Sequence, residues 1–171
     1  MRYLFRILLT VSSSIWMMVI FFINRSFNEK HLAWLLLCLI PVLLSIVTLG
    51  LFRLLGDGDE DLSNYKEIVL ADSDLIPVYL GYFFVSVSIN KLSVMIFIFI
   101  LVSIFLYLSQ TQYFNPVFLL FGYHYYYMIT EHGTRIFLIK YGSVIRNKNN
   151  CKKIRIKRIN DSTYIGLRKD V

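Results

Sequence analysis

From Ile7 to Leu108 the chain is interrupted by charge at only three places, 25–31, 53–74 and 90–91, and the runs between them are almost wholly apolar. A bilayer core of about 30 Å is crossed by roughly 20 helical residues at about 1.5 Å rise. Ile7–Asn24 and Leu32–Phe52 approach that length, while Leu75–Ile89 and Leu92–Leu108 are shorter and are joined only by Asn90 and Lys91. The pattern predicts four transmembrane helices, the last two in a tight hairpin. Local bilayer thinning, or Lys91 reaching to headgroups, meets the short spans. With 57% hydrophobic and 17% charged residues, a chain of 171 carries too much apolar surface for one small soluble core.

The first run follows Arg2 and Arg6 as a secretory signal would, but no A-x-A-like site ends it, and it continues through Trp16, Phe21 and Phe22. A retained membrane anchor is expected. Cytoplasmic flanks hold the excess of Lys and Arg. Four spans that begin inside place fifteen of the eighteen there, leaving Arg25, Lys30 and Lys91 outside, so both termini are expected in the cytoplasm. The runs contain no Asp, Glu, Lys, Arg or His, which argues against proton relays and ion-coupled carriers. Their small polar residues, Ser12, Ser13, Ser14, Ser45, Thr48, Ser86, Ser88 and Ser103, suit close helix approach or hydrogen bonds across helices. The sharper alternative is a water path. Pro41 is expected to kink the second helix.

The stretch Phe114–Thr130, FNPVFLLFGYHYYYMIT, raises the question of a fifth crossing. Its apolar part, 117–129, has only 13 residues and includes Gly122, His124 and four tyrosines. Asn115-Pro116 disfavours direct continuation of the fourth helix, and tyrosine rings favour the headgroup zone. An interfacial aromatic collar beneath the bundle is expected. The alternative is a kinked cytosolic extension of the fourth helix packed on a neighbouring subunit. His124 and His132 lack a nearby acidic pair, and Cys38 and Cys151 match no metal or redox spacing.

Segment 53–74 carries seven acidic and two basic residues. Asp57, Asp59 and Asp61 match positions 1, 3 and 5 of a calcium loop, but Leu62 replaces the required Gly and Ile68 the required Glu. A solvated acidic loop is expected, with pairing to the basic tail or to a basic partner as the alternative, and Asp72 or Asp74 capping the third helix. The tail, 131–171, holds eleven basic and three acidic residues. Its alternating runs RIFLIKYG from Arg135, KIRIKRI from Lys153 and TYIGLR from Thr163, with Asn160–Ser162 as a turn, predict a small sheet completed by another subunit.

The expected fold is therefore an all-α transmembrane bundle of four helices (1–110), an interfacial aromatic segment (111–130) and a small β-rich basic tail (131–171). Tyr113, Asn115, Pro116, Gly122, Tyr123 and Tyr126 are the candidate coupling residues at the interface. Asp57, Asp59, Asp61, Lys152, Lys153, Arg155, Lys157 and Arg158 are the candidate partner- or lipid-binding residues. Anionic lipid attracts a polybasic segment by about 1 kcal/mol per cation near the surface. No nucleic-acid recognition motif is present, so no direct binding of nucleic acid is expected. Neither a cofactor nor a metal is expected. Ser63, Asp72 and His124 make a nucleophile set only on paper, and no enzyme is expected.

The order of features, four apolar runs, YFNPVFLLFGYHYYYMIT, Gly133 before RIFLIK, and a basic β tail, resembles the KwaA family, the membrane component of the Kiwa anti-phage defence system. Asn115, Pro116, Gly122, Tyr123, Tyr126, Gly133, Leu138 and Ile139 carry the resemblance. It implies a homotetramer in a bacterial inner membrane that senses phage attack at the envelope and holds a cytosolic partner, KwaB, which acts on phage DNA. Such a role suits a chain whose outer loops, 25–31 and 90–91, leave no room for an ectodomain. The competing class is an oligomeric pore that depolarises the cell.

Overall fold

The computed structural model describes residues 2–26, 33–52, 65–109, 113–130, 135–142, 144–145, 155–160 and 162–167. In chain order the elements are α1 (Arg2–Ser26), α2 (Ala33–Leu51), β1 (Tyr65–Leu70), α3 (Leu75–Ser88), α4 (Leu92–Ser109), α5 (Pro116–Leu120), β2 (Tyr123–Thr130), β3 (Arg135–Tyr141), β4 (Arg155–Arg158) and β5 (Thr163–Leu167). A single 3-10 turn, Asp72–Asp74, leads into α3.

The helix α1 is central, with α2, α3 and α4 all packed on it. Its small polar residues allow that proximity: Thr10, Ser12, Ser13 and Ser14 are buried, and each hydroxyl donates to a carbonyl one turn back in the same helix. Farther along, Met17 and Phe21 join Tyr82 of α3 and Met95 of α4 in a second core. The outward faces of α2, α3 and α4 remain apolar and exposed, among them Leu39, Leu43, Phe84, Phe97 and Phe105. A contiguous exposed apolar surface of this kind requires lipid or another chain.

The helices alternate in direction. Phe5 at the start of α1, Phe52 just past α2 and Leu75 at the start of α3 share one cluster, and Arg6 reaches Tyr107 near the end of α4. At that same end lies a five-stranded mixed sheet in the order β1-β2-β3-β5-β4, antiparallel except for the β3–β5 pair. Strand alternation sorts its side chains onto two faces. Tyr125, Tyr127, Phe137, Ile139 and Ile165 face the helix ends with Phe5, Leu9, Phe114 and Phe118. Tyr126, Met128, Leu138 and Tyr164 form a separate buried cluster on the other face.

The expected all-α bundle of four spans is corrected by this arrangement. Among the described residues, five helices accompany a five-stranded sheet, and only Tyr3–Arg25 and Leu92–Ser109 are long and apolar enough to cross a membrane. The apolar part of α2, Leu36–Leu51, and the 14 residues of α3 fall short. The aromatic collar is instead a short helix followed by β2, an inner strand buried on both faces. A continuous apolar run reads the same way whether lipid or packed protein surrounds it. Tyr, Ile and Thr favour the strand. Part of the acidic segment is likewise β1, paired with β2, so the sheet draws on residues before, within and after the aromatic segment.

Candidate functional site

Asn115 begins in an extended conformation, φ −136° and ψ 120°, and its Oδ1 accepts the backbone N–H of Val117 at 2.9 Å. Pro116 follows at the first helical position, where its missing N–H costs nothing. The pair therefore opens α5. Because Asn115 is fully buried, its remaining groups need partners. Its Nδ2 donates to Ser45 Oγ at 2.8 Å and to the Ser12 carbonyl at 3.3 Å, and Ser45 Oγ donates onward to the Pro41 carbonyl at 2.6 Å.

Tyr125 of β2 closes the arrangement. Its hydroxyl accepts the Asn115 N–H at 2.8 Å and donates to the Asn115 carbonyl at 2.9 Å. Burial pushes the phenol well above its ordinary value, although the bond from the Asn115 backbone pulls the other way, so it stays a donor at neutral pH. Beside it, the Tyr79 hydroxyl of α3 lies 3.0 Å from both the Ser13 and the Phe114 carbonyls. One junction thus ties α1, α2, α3, α5 and β2 through buried hydrogen bonds, packed round by Phe5, Phe52, Phe118 and Phe137. A buried polar network of this kind has few arrangements in which every group is satisfied.

A second tie lies at the rim. Asp72 Oδ1 accepts the Tyr125 N–H at 2.7 Å, Oδ2 meets His124 Nδ1 at 2.7 Å, and the Ala71 N–H donates to the Tyr125 carbonyl at 2.8 Å. The start of α3 is therefore clamped to β2. Asp74 makes no side-chain cap, and Asp72 spends its carboxylate on the strand instead of on its helix. Of the nucleophile set, Asp72 and His124 meet, and Ser63 lies outside the described residues.

The candidate coupling residues divide between two places. Asn115 and Pro116 sit in the junction beside Tyr113, whose buried hydroxyl has no partner among the described residues. Gly122, at φ +80°, turns α5 into β2, where its carbonyl accepts the Gly142 N–H, and the Tyr123 ring packs between Phe118 and Tyr141. Tyr126 points to the opposite face, where its hydroxyl accepts the Ile145 N–H at 3.1 Å. Of the candidate binding residues, Asp57, Asp59, Asp61, Lys152 and Lys153 lie outside the described residues. Arg155 is placed by its backbone on the edge strand β4. Lys157, opposite Ile165, is buried, and Arg158 Nε donates to the Asn160 carbonyl at 3.2 Å, so neither is an open cation.

Of the junction residues, Tyr79 was missed by the sequence reading, while Ser12 and Ser45 were expected only as close-packing or hydrogen-bonding hydroxyls, Asp72 as a helix cap and Tyr125 as one of the collar tyrosines. The helix-start signature of Asn-Pro was available, but the burial of Asn115 and the partners of its amide come only from the packing of distant elements.

A comparison with protein families matches the chain over residues 5–165 to the family described as anti-phage protein KwaA. Searches of curated proteins and of solved structures find no match. The matched range spans α1 from Phe5 onward, the whole of α2 to α5 and almost all of the sheet, the junction at Asn115 included. The chain therefore belongs to the KwaA family of anti-phage proteins.

Proposed function

We propose that this anti-phage protein is a membrane-embedded sensor and scaffold whose helices transmit a change in packing to a cytoplasmic sheet, which holds or releases a cytosolic partner. On the family resemblance, the proposed partner is KwaB and the proposed assembly a homotetramer in the bacterial inner membrane. The observation that carries the reading is the Asn115 junction. Two helix groups, Ser12 and Ser45, meet the strand residue Tyr125 across buried Asn115, and Tyr79 bonds the neighbouring Phe114 carbonyl, so a shift of α1 against α2 cannot leave β2 undisturbed. Cytoplasmic placement of the sheet rests on the basic excess at that end of the chain, from Arg2 and Arg6 to the tail. The basic tail offers contact to anionic lipid or to the partner, with no direct role for nucleic acid, and we propose no enzymatic step.

The pore reading loses its main support. The hydroxyls of Ser12, Ser13, Ser14, Ser45 and Ser86 are buried and donate to nearby carbonyls, which leaves none of them to line water.

The discriminating variant is Ser45→Ala. It removes one acceptor of Asn115 Nδ2 at a cost of about 1 kcal/mol, too little to unfold the protein. Phage protection should fall at least several-fold while membrane abundance stays at the wild-type level. Full protection at normal abundance would reject coupling through the junction.

A further inference from the structure

The lipid-exposed side of α1 and α4 carries a cleft of about 210 Å³ lined by Ile7, Thr10, Val11, Ser103, Ile104, Tyr107 and Leu108. Small side chains make it: Thr10 turns its hydroxyl back to the Arg6 carbonyl, and Ser103 closes on Ser14 Oγ at 3.1 Å, so the two helices approach there but leave the flanking space unfilled. At the sheet end of the cleft stands Arg6. Its guanidinium lies 4.6 Å over the Tyr107 ring, and one Nη donates to the Tyr107 carbonyl at 3.1 Å, an acceptor in the last turn of α4. That contact uses one of five donors. Among the described residues the buried Nε has no acceptor and no carboxylate pairs with this cation.

An apolar cleft that opens toward lipid and ends at an uncompensated guanidinium has the two halves of one ligand. We propose that it binds an anionic phospholipid, with the phosphate on Arg6 and an acyl chain laid along Ile7, Val11, Ile104 and Leu108 toward Ser103. Guanidinium suits phosphate because it offers paired, directional donors. Charge complementarity selects an anionic headgroup over a zwitterionic one, and the apolar walls distinguish a lipid from free phosphate. A lipid wedged between α1 and α4 bears directly on the helix whose Ser12 and Ser13 carbonyls enter the junction. The proposal rests on the membrane reading above and gives the sensor a defined lipid contact.

The test uses the full chain in nanodiscs of equal phosphatidylglycerol and phosphatidylcholine, followed by native mass spectrometry of lipid retained after transfer to detergent. Wild type should retain phosphatidylglycerol in preference to phosphatidylcholine. Arg6→Gln should lower that retention roughly fivefold, the worth of one cation near an anionic surface, whereas Arg6→Lys should keep most of it. Ser103→Leu, which fills the cleft, should abolish retention. Ile104→Trp on the exposed lip should do the same without disturbing the Ser14–Ser103 contact. Equal retention of both lipids, or unchanged retention in Arg6→Gln and Ile104→Trp, overturns the site. So does a cleft-filling variant that changes the number of chains per particle with no lipid found, because the occupant would then be a second copy. Failure of the wild type to enter nanodiscs would instead reject the membrane reading itself.

Discussion

Tyr125 holds the junction by a single hydroxyl that is both donor and acceptor to Asn115, and both residues are fully buried. Tyr125→Phe keeps the ring stacked on Phe137 and leaves a buried N–H and a buried carbonyl short of a partner, a loss of about 1–3 kcal/mol readable as a lower melting temperature. Tyr141→Phe, on an exposed ring, should lie within about 0.5 kcal/mol of wild type. The same hydroxyl predicts a pH dependence. Burial raises the folded phenol above its unfolded value, so the stability it contributes is complete below about pH 10 and is lost as pH climbs through the folded value. Melting temperature should fall more steeply above pH 10 in wild type than in Tyr125→Phe, and parallel curves would remove Tyr125 as the cause. At Gly122 the demand is conformational. An added Cβ meets only Tyr141 Cε2 at an ordinary 3.7 Å, so Gly122→Ala should cost about 1–2 kcal/mol through φ +80° alone.

Among the elements, what sequence could reveal depended on how many neighbours each one has. The apolar runs of α1, α2, α3 and α4 were legible within a few residues, because hydropathy marks where water is excluded. It does not say by what, and that is why the run of α3 was read as a span although its 14 helical residues are shorter than a bilayer. The alternation in β3, β4 and β5 was visible, whereas β2 was not, since an inner strand with Tyr125 buried on one face and Tyr126 on the other shows no polar side. Likewise β1 was hidden in a segment dominated by charge, with Val69 and Leu70 exposed on an edge strand. The tie between α3 and the sheet was illegible for a further reason: Asp72 and His124 are 52 residues apart, and no local pattern pairs them. Asp72→Ala should therefore loosen the sheet more than the helix. Hydrogen exchange at the Tyr125 amide is expected to accelerate at least tenfold while the α3 amides change little; equal acceleration of both would make Asp72 a helix cap after all.

At the scale of the molecule, the alternating helices put Asn90 and Lys91 at one extreme and the sheet, with α5 and the junction, at the other. Among the described residues, Arg2, Arg6, Lys140, Lys157 and Arg158 lie on elements at the sheet end, and the helix flanks between the two ends are apolar and exposed. That geometry suits a protein buried to the waist in lipid, with the sheet in the cytoplasm and the α3–α4 corner on the far side. Two single cysteines decide it, introduced after Cys38 and Cys151 are replaced by serine. Leu120→Cys stands on a side chain that is 85% exposed at the end of α5, and Asn90→Cys stands on the exposed corner. A membrane-impermeant maleimide added to intact cells should label Asn90→Cys and spare Leu120→Cys until the membrane is broken. Labelling of Leu120→Cys alone would invert the protein and remove the sheet from any cytosolic partner. Labelling of neither in intact cells, and of both after lysis, would lay the helices along the inner surface, where the long apolar faces of α1 and α4 would have one side in lipid and one in water, a wasteful arrangement for helices apolar almost all round.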